Sequence, residues 1–91
     1  MKEENNNGLN NLKVSLENSI ERLRIAQVNK HELSYEAFRY LYIFESDKSD
    51  INEANMTIYY NKSTDAKRIF DDALNAYKVA QLAYDNAILS K

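Results

Sequence analysis

The chain has 91 residues, 12 basic and 14 acidic, with one Gly (Gly8), no Pro and no Cys. That length fits one domain, close to the lower limit for a comfortable single core. Turn-rich β folds lean on Gly and Pro, so their scarcity argues for long helices. Without Cys there is neither a disulfide framework nor a thiolate metal site.

Charges of both signs are mixed along the chain. Counterion-driven nucleic-acid binding needs a basic excess on one face, so no nucleic acid is expected as a partner. No stretch approaches the roughly 20 apolar residues of a membrane span, and no membrane insertion is expected. The N-terminal MKEENNNGLNN lacks the apolar run of a signal peptide. With the lack of Cys, this gives a cytoplasmic expectation. The many Asn, Lys, Ile and Tyr residues have A/T-rich codons and hint at a bacterial or phage genome.

Residues 1–8 are expected to be a disordered tail, charged and Asn-rich. Residues 9–91 are expected to form a single helical domain. Asn10 or Asn11 is a candidate cap for the first helix. Leu9, Leu12, Leu16, Leu23, Ala26, Leu33, Ala37, Tyr40 and Phe44 then recur on one heptad seam, with Ile20 beside it. Sustained heptads predict a coiled-coil-like seam. Lys30 occupies a core position and weakens it. Asn29 with Glu32, or Ser34, offers a cap for a joint at 29–34. The unbroken register favours one helix over 9–45.

Ser46-Asp47-Lys48-Ser49-Asp50 is the clearest break. Asp50 followed by Glu53 reads as a capping-box variant, starting the second helix at Ile51. Within that helix Ala66, Ala73, Ala80 and Ala87 repeat every seven residues. Ile69, Ala76 and Ala83 form a partner column, and the seven together predict a helix-packing seam. Phe70, Tyr77 and Tyr84 form an aromatic ridge alongside. Small residues let helix backbones approach to the short end of the roughly 8–10 Å range. Upstream, Ile51, Ile58 and Tyr59 meet the alanine seam only after a stutter through Lys62, or a joint at 61–65.

The predicted fold is all-α: an antiparallel helical hairpin, or a small three- to four-helix bundle, with coiled-coil-like packing. Two helices bury one stripe each, and the apolar arcs here are broader, so a homo-oligomer is expected.

No catalytic, metal or cofactor site emerges. His31 is the single histidine, with no nucleophile or orienting partner in any recognisable pattern. Val28 stands where a Glu-x-x-His pair needs its Glu. Glu17 with Glu21, Glu32 with Glu36, and Asp71 with Asp72 read as solvated helix faces. Asp47-Lys48-Ser49-Asp50 lacks the central Gly of a calcium loop. Two glycosylation acceptor patterns, at Asn55 and Asn61, are discounted without a secretory signal.

The strongest functional signal is Tyr35-Glu-Ala-Phe-Arg-Tyr-Leu-Tyr-Ile-Phe44. Its apolar residues point in nearly every helical direction, and such a helix is normally buried all round. It is either an interface or the core end of a bundle. Tyr35, Phe38, Tyr42 and Ile43, with Tyr59 and Tyr60 across the turn, are the candidate partner-binding residues. The reading is a non-enzymatic protein–protein interaction module of adaptor, small-chaperone or inhibitor type. Its partner is another protein or a second copy, not a small-molecule substrate. A secreted or surface-acting effector, and an accessory subunit of a larger enzyme or secretion assembly, are the alternatives.

Overall fold

The computed structural model describes residues 2–90, with side chains described from Gly8 onward. Two helices make up the fold, α1 (Lys2–Ser46) and α2 (Asp50–Leu89). They lie antiparallel as a hairpin measuring 68 × 16 × 13 Å. At about 1.5 Å per residue, a straight helix of 45 residues spans that whole long axis. Neither the 29–34 joint nor the 61–65 joint exists, and both segments are continuous helix. The three- to four-helix alternative is thereby corrected to a two-helix hairpin. The physical reason is local: no Pro or Gly interrupts either helix between Gly8 and Leu89, so nothing breaks the hydrogen-bond ladder. The helix also carries its backbone through residues 2–8, where a tail is expected from composition. The side chains of residues 1–7 lie outside the described residues. Asn10 and Asn11 sit inside α1 and do not cap it.

The reversal takes only Asp47, Lys48 and Ser49, and no described residue adopts a positive φ. The Asp47 amide donates to the Ile43 carbonyl at 2.9 Å, and the Ser46 hydroxyl donates to the Tyr42 carbonyl at 3.1 Å. The first of these satisfies a carbonyl that the helix end otherwise leaves open. The cap of α2 is Ser49, one residue earlier than the Asp50 box predicts. Ser49 has extended backbone (φ −80°, ψ 159°), and its hydroxyl accepts from the Asn52 amide at 3.2 Å. The Asn52 side chain reaches back to the Asp47 carbonyl at 2.7 Å, tying helix start to helix end. Asp50 and Glu53 then sit in the first turn, where the helix dipole favours negative charge. Ser49→Ala is expected to lower stability by about 1 kcal/mol, the usual value of an N-cap, read from a denaturant midpoint with unchanged slope.

The α1 seam runs as its periodicity predicts. Leu16 and Ala26 are buried, and Leu9, Leu12, Leu23, Leu33, Ala37, Tyr40 and Phe44 are half-buried. Ser19 takes the seam position beside Ile20, which faces solvent, and its hydroxyl bonds back to the Leu16 carbonyl at 2.7 Å. Lys30 keeps its core position by laying its ammonium over the Phe70 ring, 4.2 Å from the centroid.

On α2 the inward stripe is Met56, Tyr59, Ser63, Ala66, Phe70, Ala73, Tyr77, Ala80, Tyr84 and Ala87, all buried or half-buried. It alternates steps of three and four without a stutter. The alanine column 66, 73, 80 and 87 thus faces α1, but its partner column is Phe70, Tyr77 and Tyr84. Ile69 is 47% exposed, and Ala76 and Ala83 are half-buried on the flank. The reason is area: an aromatic ring buries about 150–250 Å², far more than an alanine methyl. Turning α2 to put the rings inward therefore removes more apolar surface from water.

Tyr40 stacks on Tyr59, ring centroids 4.4 Å apart and 16° from parallel. With Lys30 against Phe70 this fixes the register of the two helices. Carried along the hairpin, it brings Ala26 level with Ala73. These are the two most buried residues at that level, 5% and 0% exposed.

Candidate interaction surface

A two-helix hairpin has one internal seam, and every other position looks outward. Most outward positions are polar or charged, in short i, i+3 and i, i+4 pairs. Arg24 forks onto Glu21 at 2.6 Å, which holds the Glu21 carboxyl below its usual range, first through that hydrogen bond. Arg39 sits 3.4 Å from Glu36, and Arg68 bridges Asp65 and Asp72 at 3.9 and 3.5 Å. Such exposed pairs are each worth about 0–1 kcal/mol. They account for members of all three acidic pairs. Among the described residues no group of three His, Cys, Asp or Glu side chains gathers into a metal-binding cluster.

One face departs from this pattern. Tyr35 is 67% exposed, Phe38 73%, Tyr42 69% and Tyr60 66%, with Leu41 and Val28 also open to solvent. Val28, His31, Tyr35, Phe38 and Tyr42 follow steps of three and four along the side of α1 turned away from α2. They make a second apolar column. Between Gln27 and Tyr42 the outward positions of this face are Gln, Val, His, Ser, Tyr, Phe, Leu and Tyr, with no Asp, Glu, Lys or Arg among them. Glu32 and Arg39 border this face, each lining one of its grooves, and Glu36 lies further round the helix, 3.4 Å from Arg39.

Three shallow grooves meet on this face. One, of ≈ 470 Å³, runs between the helices over Ala37, Phe38, Leu41, Met56 and Tyr60. A second lies against Tyr35, Phe38 and Tyr42, and a third against Val28, Lys30, His31 and Phe70. Ser34 lines all three, its hydroxyl 3.4 Å from that of Ser63. His31 lies between two of them.

Of the six predicted partner-binding residues, the structure gathers four on this face: Tyr35, Phe38, Tyr42 and Tyr60. Tyr59 belongs to the seam, half-buried under Tyr40, with the Lys62 ammonium 4.9 Å from its ring. Its phenol is raised above the ordinary range, first by the like charge of a Tyr40 phenolate, then by hydrogen bonding to Tyr40. Ile43 is half-buried on the opposite flank of α1. Sequence reasoning missed Val28, His31, Ser34 and Leu41. The signal was present as the second three-four column on α1, masked because the dense run 35–44 looks apolar in every direction.

No family model, curated protein or solved structure matches the chain. Among the described residues no helix is long and apolar enough to cross a membrane.

Proposed function

We propose that this chain is a non-enzymatic helical interaction module. It self-associates and works by covering an apolar face with protein, in the manner of an adaptor, small chaperone or inhibitor. The observation that carries this is the exposed aromatic face of Tyr35, Phe38, Tyr42 and Tyr60. Monomeric soluble proteins rarely leave such a contiguous patch open, and aromatic enrichment with charge depletion marks the centre of protein interfaces.

The dimensions of the hairpin support self-association. A compact chain of this mass exposes about 5,500 Å², whereas this one exposes 7079 Å². Its radius of gyration is 20.1 Å, against about 12 Å for a compact domain of the same length. The surplus of about 1,600 Å² is twice the per-partner burial of a standard interface, about 800 Å². Among the described residues no large side chain is fully buried.

Sedimentation equilibrium tests the reading. The wild type is expected to dimerise in the micromolar range. Tyr42→Ala should weaken association by about tenfold or more, the scale of an interface hot spot. Its helicity, measured where both proteins are monomeric, should stay unchanged. A wild-type chain that remains a folded monomer at about 100 μM, equivalent to under 6 kcal/mol of association, contradicts self-association.

A further inference from the structure

We infer that the second copy docks through α1 on α1, antiparallel, about a two-fold axis beside Ser34 and Tyr35. This rests on the self-association proposed above and adds its face and register. The column at the centre of the aromatic face reads Arg24, His31, Phe38, Glu45. Its apolar residues are bounded by a cation at one end and an anion at the other. Arg24 and Glu45 are both solvent-exposed, and Arg24, paired with Glu21 on its own helix, keeps guanidinium N–H groups free for a second carboxylate.

That order discriminates between orientations. In a parallel pairing, Arg24 meets Arg24 and Glu45 meets Glu45, and like charges in contact oppose association. An antiparallel two-fold instead sets Arg24 of each copy against Glu45 of the other, and His31 against Phe38. The flanking columns obey the same axis. Val28 meets Tyr42, Tyr35 meets Tyr35, and on the side toward α2 Gln27 meets Leu41 and Ser34 meets Ser34. Arg24 and Glu45 mark the two ends of the contact, and Glu32 and Arg39 border it along the outer flank of α1. A heptad column with alternating steps of three and four reads the same in both directions, so all these pairs fall into step together.

The area fits. Covering Tyr35, Phe38 and Tyr42, with Val28, Leu41 and part of Tyr60, removes roughly 600–800 Å² from each chain, the size of a stable protein interface. The groove over Ala37, Leu41 and Met56 opens beside this contact and receives side chains from the partner.

Two measurements on the full chain test the inference. Because the protein has no Cys, Tyr35→Cys places one thiol per chain at the two-fold. It should cross-link to a covalent dimer on oxidation or with a short bis-maleimide. Val79→Cys, equally exposed on α2, should not. In the second measurement, Arg24→Glu and Glu45→Arg should each weaken dimerisation about tenfold, since each turns two attractive contacts per dimer into repulsive ones. The double variant should restore wild-type affinity. Dimerisation that ignores both single reversals, or Val79→Cys cross-linking in place of Tyr35→Cys, overturns this register while leaving self-association standing. A monomeric wild type overturns both readings together.

Discussion

Tyr40→Ala is expected to lower the melting temperature by roughly 10–20 °C. Removing a large ring from a core costs about 3–5 kcal/mol, and Tyr40 is half-buried, so about 2–3 kcal/mol is the appropriate scale. In a domain of this size each 1 kcal/mol shifts the midpoint by about 4–8 °C. The ring lost is the one stacked on Tyr59 at 4.4 Å, near the turn end of the seam. Tyr59 then has no stacking partner. Tyr42→Ala, two residues on, removes a ring that is mostly in water. At matched low concentration its melt should stay within a few degrees of wild type. Melts must be compared at one concentration, because self-association raises the apparent midpoint by mass action. Equal losses from the two substitutions would place Tyr42 in the fold and remove the basis of the interaction face.

Ala73→Leu is the second. Ala73 is 0% exposed, and the register brings it level with Ala26, itself 5% exposed. A leucine there adds bulk at a position that has no exposed surface. Overpacking of this kind costs about 1–3 kcal/mol, with the helices forced apart or the flanking Phe70 and Tyr77 displaced. Leucine is almost as good a helix former as alanine, so the loss reports packing and not propensity. Ala76→Leu supplies the comparison, since Ala76 lies half-buried on the flank. Its loss should be well under that of Ala73→Leu. A denaturation series in which both variants match wild type would mean the two alanine levels are not in close contact.

The contrast between Ala73 and Ala76 shows where sequence reading reaches its limit. Helicity, the turn near 46–50 and the α1 seam were all legible, because each is written locally. Composition removes helix breakers, a polar run stops the apolar pattern, and the leucines of α1 occupy one stripe with polar residues on either side. The rotation of α2 about its own axis was not legible. Its alanine column has apolar neighbours on both sides, Ile69 with Ala76 and Ala83 on one, Phe70 with Tyr77 and Tyr84 on the other. Periodicity alone admits either pair of columns. The leucines of α1 decide, since facing the rings buries more apolar area than facing the small flank. The same choice removes the stutter at Lys62, which exists only if Ile69 points inward.

The interaction face divides in the same way. The run 35–44 announces itself by composition as a place with more aromatic surface than one helix contact can use. Which rings serve the fold and which remain in water depends on the seam of the opposing helix. Tyr40 is drawn inward because Tyr59 stands opposite to stack on it, and Tyr59 is drawn in by Tyr40, leaving Tyr60 outside. Local sequence therefore set the helices, their lengths and their reversal through hydrogen bonding and backbone preference. Only the packing of one helix on the other sorted the tyrosines, because burial is a property of a pair of surfaces.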